Sequence, residues 1–476
     1  MKKSDELFKI FNSKLKKYST CEVAKMFASF DRYYFKNHKD EPLTKTFYNG
    51  YTTTKVLVRP WLFKDIIYYS TFFNDHRSNI TEDEAWNLYL LYSNYSEAIE
   101  AEYADFNYAD TSQNILTPIL YGHMQVQAIY QVTQYLFINR FNRNYHLLKN
   151  VELNSISLNT IINERYQIDL KTYCKYLSII ALLSVSFTNL TDKLILNTIY
   201  DQDLYLTILD DLSITYSVSR SKNNKEIFDV LPILHTGLDE YLVPSICNLV
   251  SNLKDKLCWL LKDEFNKKSS SKNIFVVKFG EIFENYVFEI LIKQYGKANV
   301  NKIPRVKDEK SADFIISSKN YLFIIEVKSG VASINAKLEN LDIQSLNNFI
   351  ERNVVDAMKQ LDFSSKKFKD EREIICIIVN YDLIYVEDCI LFDITSRYEP
   401  KYFNANNLIL FGIDNFENFI YKFNTLNKLE ELLVKYNGQK LNVHKLKENC
   451  EISSNYFFDD IFTKETDDFI RLVQSK

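Results

Sequence analysis

Glycine and proline are scarce, 8 and 7 residues in a chain of 476, beside 33 tyrosines and 34 phenylalanines. So few turn formers predict long helices with aromatic packing and few tight turns. No G-x-x-x-x-G-K-[ST] loop and no G-x-G-x-x-G fingerprint occurs, which excludes an evident nucleotide motor. The seven cysteines (Cys21, Cys174, Cys247, Cys258, Cys376, Cys389, Cys450) form no C-x-x-C pair and are odd in number. That count suits free thiols in a reducing compartment better than a disulfide framework. The 6 histidines stand apart from one another, so a zinc site is not expected. Positive charge is also lacking overall. The net charge of −4 argues against an indiscriminate DNA-coating surface, because phosphate neutralisation dominates such binding, and leaves that task to local basic patches. No apolar run approaches the ~18 residues of a membrane span. The N-terminal Met1-Lys2-Lys3-Ser4-Asp5 has no apolar core behind it and does not read as a signal peptide. A cytoplasmic protein without a membrane partner is expected.

What is present begins with helical periodicity. Glu82 to Asp105 and Ile119 to Leu148 carry apolar residues at helical spacing without an internal proline. Leu177 to Phe187 is more uniformly apolar and reads as a buried helix. Thr52 to Tyr69 and Asp201 to Ser217 are rich in Thr, Val, Ile and Tyr, and suit strands or short helices equally. Leu242 to Lys268 is a further amphipathic helix, running out in the polar, basic stretch Lys267 to Lys272, the best domain boundary in the chain. With length too great for one ordinary core, the expected division is a mainly helical regulatory or partner-binding region (1–268), a second domain (273–420) and a helical C-terminal extension (421–476).

The second domain carries the chemistry. Phe279, Ile282, Phe283, Tyr286, Val287, Ile290 and Leu291 give the helix from Asn273 to Gly296 one apolar stripe, with Glu284 at its edge. Val300 to Val306 and Ala312 to Ile316 read as strands, and Tyr321 to Lys328 as a buried strand closing on Glu326-Val327-Lys328. Alternation puts Glu326 and Lys328 on one face and Val327 on the other. With Ser318-Lys319 as the turn of a hairpin, Asp313 pairs with Ile324, diagonal to Glu326, at the roughly 7–8 Å over which two carboxylates still converge on one ion. Two carboxylates supply hard oxygen ligands for Mg²⁺ or Mn²⁺. A neighbouring lysine can stabilise charge building on phosphorus or orient the attacking water. The plainer reading of Glu326 and Lys328 is a surface ion pair, worth about 0–1 kcal/mol. Asn340 to Phe363 then reads as a helix, Ile374 to Asn380 and Asn407 to Ile413 as buried strands, Phe416 to Tyr436 as helical, and Lys440 to Lys476 as a mixed tail.

Gly280-x3-Glu284, Val287, Leu291 and Gly296, then Asp313 and Glu326-Val327-Lys328-Ser329-Gly330, resemble the PD-(D/E)xK nuclease superfamily, and within it the restriction-endonuclease-like and archaeal Holliday-junction-resolvase branches. The motif's proline is Ala312 here. The resemblance covers a quarter to a third of the chain. It implies an αβββαβ core with a mixed central sheet, and so a mixed α+β fold behind the helical region. It further implies Asp313 and Glu326 as ligands of Mg²⁺ (or Mn²⁺), Glu284 completing the metal shell, and Lys328 as the catalytic lysine. Gln360 resembles the glutamine that many members place near the metal water or a phosphate; it could equally be a plain surface residue. Lys302, Arg305, Lys307 and Lys310 would face the phosphate backbone of nucleic acid, or would be strand-edge charges that block aggregation. The expected function is a metal-dependent endonuclease, acting on DNA rather than RNA on family grounds. Its expected setting is prokaryotic antiviral defence, with control by the helical region, a companion protein or homo-oligomerisation. A junction- or end-processing endonuclease and a non-catalytic nuclease-fold scaffold are the alternatives.

Overall fold

The computed structural model describes residues 2–37, 44–49, 52–73, 77–107, 134–153, 155–222, 227–237, 239–268, 274–306, 309–331, 343–381, 397–435 and 463–474. The fold is mixed α and β, with helices dominating the N-terminal half and a five-stranded mixed sheet in the C-terminal half.

In the N-terminal half, Lys3–Leu15, Thr20–Asn37, Trp61–Ser70 and Glu82–Asn107 bury an aromatic core that includes Phe11, Phe27, Phe63 and Tyr89. Phe30 stacks on Trp86 with ring centroids 4.5 Å apart, the aromatic packing that the composition predicts. The two ambiguous stretches each divide. Thr52–Leu57 is a strand and Trp61–Ser70 a helix; Gln202–Leu212 is a helix and Ser213–Thr215 a strand. The uniformly apolar segment lies in the helix Leu170–Ser186, where Leu177, Ile180 and Leu183 are buried. Of the long helix expected from Ile119, the described part is Gln134–Leu148; residues 119–133 lie outside the described residues.

The C-terminal sheet runs, edge to edge, Leu408–Gly412, Glu373–Asn380, Tyr321–Lys328, Phe314–Ser317 and Val300–Lys302. The last three pair antiparallel and the first three parallel. In chain order, the helix Ile274–Tyr295 precedes three strands, and the helix Asp356–Phe368 precedes the next strand, which is the expected αβββαβ order. Each face is covered. Phe314, Phe323 and Ile325 pack on Phe279 and Phe283 of the preceding helix, while Ile315, Ile324 and Ile378 pack on Met358 and Leu361 of the following one.

Three expectations are corrected. The strand expected from Val300 to Val306 spans only Val300–Lys302, with one further bond from the Ile303 N–H to Asp313 O at 2.8 Å before Pro304, which has no N–H to give a ladder. The helix expected from Asn340 is described from Ile343 and is broken by a π-helical turn, Glu351–Val355. The segment Phe416 to Tyr436 is two helices, Ile413–Lys422 and Leu426–Lys435. Of the mixed tail, Thr463–Gln474 is helical, and the segment from 436 to 462 lies outside the described residues.

The core does not stop at the polar stretch after Lys268. One cluster of buried side chains runs from Phe141 and Leu177 through Leu257 to Phe283, Phe323 and Phe411. Between the halves also lies a buried ionic knot. Arg140 and Arg143 of the helix Gln134–Leu148 pair with Asp414, and Arg143 Nε donates to Glu417 Oε1 at 2.7 Å. Tyr286 donates its hydroxyl to the same Glu417 carboxylate.

Candidate active site

The hairpin sets the geometry. Its paired residues are Leu322 with Ser317, Ile324 with Ile315 and Ile325 with Phe314, so the two turn residues are Lys319 and Asn320. The turn lies one residue beyond the Ser318-Lys319 expected from the sequence. Sliding a two-residue turn by one position shifts every pair by two, which keeps each side chain on its face. The ladder pairing ends at Ile325 with Phe314, and beyond it Asp313 turns back onto Ile325 and Val327. The Asp313 N–H donates to Ile325 O at 3.0 Å.

Asp313 and Glu326 meet there. They are close enough for the charge of Asp313 to raise the Glu326 carboxyl, and Asp313 Oδ2 accepts from the Val327 N–H at 2.9 Å. Lys328 shares the face and places Nζ 2.7 Å from Glu326 Oε1. The other Glu326 oxygen, Oε2, is buried without a protein partner. Burial pushes the Glu326 carboxyl up to about 8, with the charge of Asp313 adding to it and Lys328 opposing it. Burial likewise raises Asp313 to about 6, against the Val327 N–H that favours its charged form, while Glu284 pushes the same way as burial. Burial thus outweighs the cations around the pair, Lys328 and Arg305.

Gln360 is brought onto Lys328: its Oε1 accepts from Nζ at 2.5 Å, and its Nε2 donates to Ser311 O at 3.1 Å. That double anchor orients the amide so that its oxygen, not its NH₂, faces the lysine.

Glu284 stands apart from the pair. It is held by Arg305, whose guanidinium also reaches to 3.9 Å from Asp313 Oδ1, and by Lys302 at 3.6 Å. Among the described residues, no three His, Cys, Asp or Glu side chains gather closely enough to hold a metal ion. Of the four expected backbone-facing cations, Lys302 is thus engaged with Glu284, with Asn285 at 2.8 Å and with the Phe288 ring at 4.8 Å. Arg305 is 75% exposed at its side chain; Lys310 is exposed, and Lys307 lies outside the described residues.

Glycines let the elements close on the site. A Cβ on Gly330 would stand 2.0 Å from Asn353 Oδ1, in the π-helical turn, so any larger residue here must displace the Asn353 side chain. A Cβ on Gly280 would come 3.3 Å from Ser329 Oγ, which places the first helix tightly against the end of the motif strand.

One residue escaped the sequence reading. Asn380 pairs with Lys328 across the parallel ladder and so shares its face. It is 0% exposed, with neither Oδ1 nor Nδ2 bonded to protein. The run Ile374 to Asn380 signals a strand, but nothing in it signals which strand will lie beside Lys328.

No family model matches the sequence, and no curated protein does. Among solved structures, the chain is similar to the small subunit of a heterodimeric restriction endonuclease, at 13% identity and a TM-score of 0.25, over 40% of this chain and 96% of that one. Among the described residues, no helix is long and apolar enough to cross a membrane.

Proposed function

We propose that the chain is a metal-dependent nuclease of the restriction-endonuclease-like kind, cleaving phosphodiester bonds of DNA at Asp313, Glu326 and Lys328. One observation carries the reading: two buried carboxylates lie close together at the end of the hairpin, with a lysine beside one of them and one buried carboxylate oxygen unpaired. Carboxylates so placed repel each other. They fit a divalent cation of the Mg²⁺ or Mn²⁺ class, which prefers oxygen ligands. Asp313 and Glu326 would hold it. When bound, such an ion polarises a phosphoryl oxygen and makes a bound water more acidic.

The chain's own groups supply the rest. Lys328, steered by Gln360, presents its ammonium where negative charge accumulates on the phosphoryl oxygens during displacement. Glu284 could join the carboxylate pair once Arg305 lets go. That contact is exposed on the arginine side, and such ion pairs hold by only about 0–1 kcal/mol. A released Arg305 is then available to a phosphate of the strand.

The test is cleavage of labelled DNA with Mg²⁺ or Mn²⁺ by the wild type and by the Asp313→Asn and Glu326→Gln variants. Cleavage by the wild type alone is the expected result. Equal cleavage by both variants, or none by the wild type on DNA or RNA with either ion, overturns the proposal.

A further inference from the structure

A cavity of about 560 Å³ opens beside Lys328, at the end of the motif strand. Its size is that of a site for a small organic ligand or a nucleotide. One wall belongs to the helical half of the molecule: Asp255, Trp259 and Lys262 project from the helix Ile246–Lys268 at i, i+4 and i+7, which is one helical face. The lining also includes Phe349 with Asn348 and Arg352, beside and within the π-helical turn.

The lining matches the three parts of a nucleotide. Trp259 offers a flat apolar surface for a base. Trp259 is 38% exposed, and Lys262 Nζ lies 4.5 Å above its ring, the spacing of a cation–π contact. Lys262, Arg352 and Lys328 supply three cations against the one carboxylate of Asp255. Asp255 is 8% exposed; its Oδ2 lies 3.7 Å from Lys254 Nζ, while its Oδ1 is buried with no protein partner. A carboxylate oxygen in this state is costly unless a donor meets it, and the exocyclic amine of cytosine, adenine or guanine is such a donor.

We propose that this cavity receives an unpaired nucleobase next to the scissile phosphate, so that the substrate class is single-stranded or locally unpaired nucleic acid rather than closed duplex. The inference rests on the nuclease reading in one respect, that Lys328 meets the phosphate. Sharing Lys328 ties the base to the same strand. A base paired and stacked in a duplex cannot enter the cavity and reach Trp259; one that is flipped out or already single-stranded can. The helical half thereby grips the substrate and does not merely lie behind the site.

The experiment measures binding of the full chain in EDTA by fluorescence anisotropy. The probes are a short labelled oligodeoxynucleotide as single strand, the same sequence as blunt duplex, and the single strand carrying abasic sites. The single strand is expected to bind about tenfold more tightly than the duplex, as stacking of one base on an aromatic side chain allows. Abasic sites and Trp259→Ala should each remove most of that preference, and Trp259→Phe should keep it, with duplex affinity unchanged throughout. Thermal melting checks that the variants fold; should Trp259→Ala not fold, the abasic strand on the wild type decides alone. Equal affinity for single strand and duplex, equal weakening of both by Trp259→Ala, or a free mononucleotide competing as well as the strand each overturns the proposal. A wild type that cuts nothing with Mg²⁺ or Mn²⁺ would defeat the nuclease reading and leave this binding result standing.

Discussion

A buried carboxyl that prefers its proton makes the fold sensitive to pH, and two such groups lie close together at the hairpin. The folded values of Asp313, about 6, and Glu326, about 8, lie above the roughly 4 of an unfolded chain. Their contribution to stability is then complete below about pH 4 and is lost as pH rises through about 6 and 8. A divalent cation between them removes the repulsion only where both are ionised. Mg²⁺ should therefore raise Tm more at pH 8.5 than at pH 5, roughly pH values on either side of this window. Thermal melting at the two pH values checks it; a cation effect independent of pH would mean that the pair is not the binding site. Lys328 acts differently. Lys328→Ala should slow cleavage on the order of 10²–10³-fold, the usual loss for one group aimed at transition-state charge. Mn²⁺ affinity by calorimetry should change little; a comparable loss of binding would make the lysine a structural partner of Glu326 instead. That Glu326 and Lys328 lie side by side was legible because E-x-K at the end of an apolar run fixes its own face. Asn380 was not, because its role depends on a parallel neighbour that is 52 residues away from Lys328 along the chain. Its unbonded amide also invites a test. Exchange of a buried, unbonded polar group for an apolar one of similar shape is neutral or stabilising, so Asn380→Leu should hold or raise Tm by thermal melting. A drop of several degrees would show that the amide already has a partner.

Elements were read well where periodicity ran long and poorly where they ended. The hairpin illustrates both. Alternation keeps Ile315 and Ile324 on one face although the turn was placed one residue early, because a sliding two-residue turn preserves parity. Its position could not be read, since Ser317, Ser318, Lys319 and Asn320 are all acceptable turn residues. The π-helical turn was invisible for another reason: residues 351–355 continue the helical pattern, and only the packing of Asn353 over Gly330 reveals the extra residue in the turn. Such turns concentrate at functional sites, and this one carries Arg352 and Asn353 into the cavity wall. Gly330→Ala should push Asn353 away and disturb both the strand end and that wall. An alanine that must displace packed atoms usually costs about 1–3 kcal/mol, which denaturant unfolding would read, together with slower cleavage. Unchanged unfolding would mean that Asn353 simply rotates aside.

At the scale of the molecule, the polar stretch after Lys268 reads in the sequence as a seam, yet hydrophobic contact crosses it without a break. Sequence composition reports exposure of a linker and is blind to what the helices on either side do. The ionic knot strengthens that contact. Burial pushes the Asp414 carboxyl up, but Arg140 and Arg143 together pull it well below the usual carboxylate range, while burial holds Glu417 above it despite Arg143. Removing Arg143 leaves Glu417 with no cation, only the Tyr286 hydroxyl, and leaves Asp414 to Arg140 alone. Arg143→Ala should cost about 3–5 kcal/mol, the range for breaking a buried pair from one side, readable by denaturant unfolding.

The same continuity predicts what dissection will do. A fragment beginning after Lys268 uncovers the face of the helix Ile274–Tyr295 that bears Phe275, Phe279 and Tyr286, all buried in the intact chain. It also leaves Asp414 and Glu417 without the two arginines. Exposed aromatic area of this kind promotes association, and two orphaned acids weaken the fold that would resist it. The fragment should therefore be aggregated or molten by size-exclusion chromatography and near-ultraviolet circular dichroism, while the intact chain unfolds in one transition. A soluble, cooperatively folding fragment that still cleaves DNA would reverse this conclusion. The helical half would then be an attachment to a self-sufficient nuclease domain rather than one side of its core.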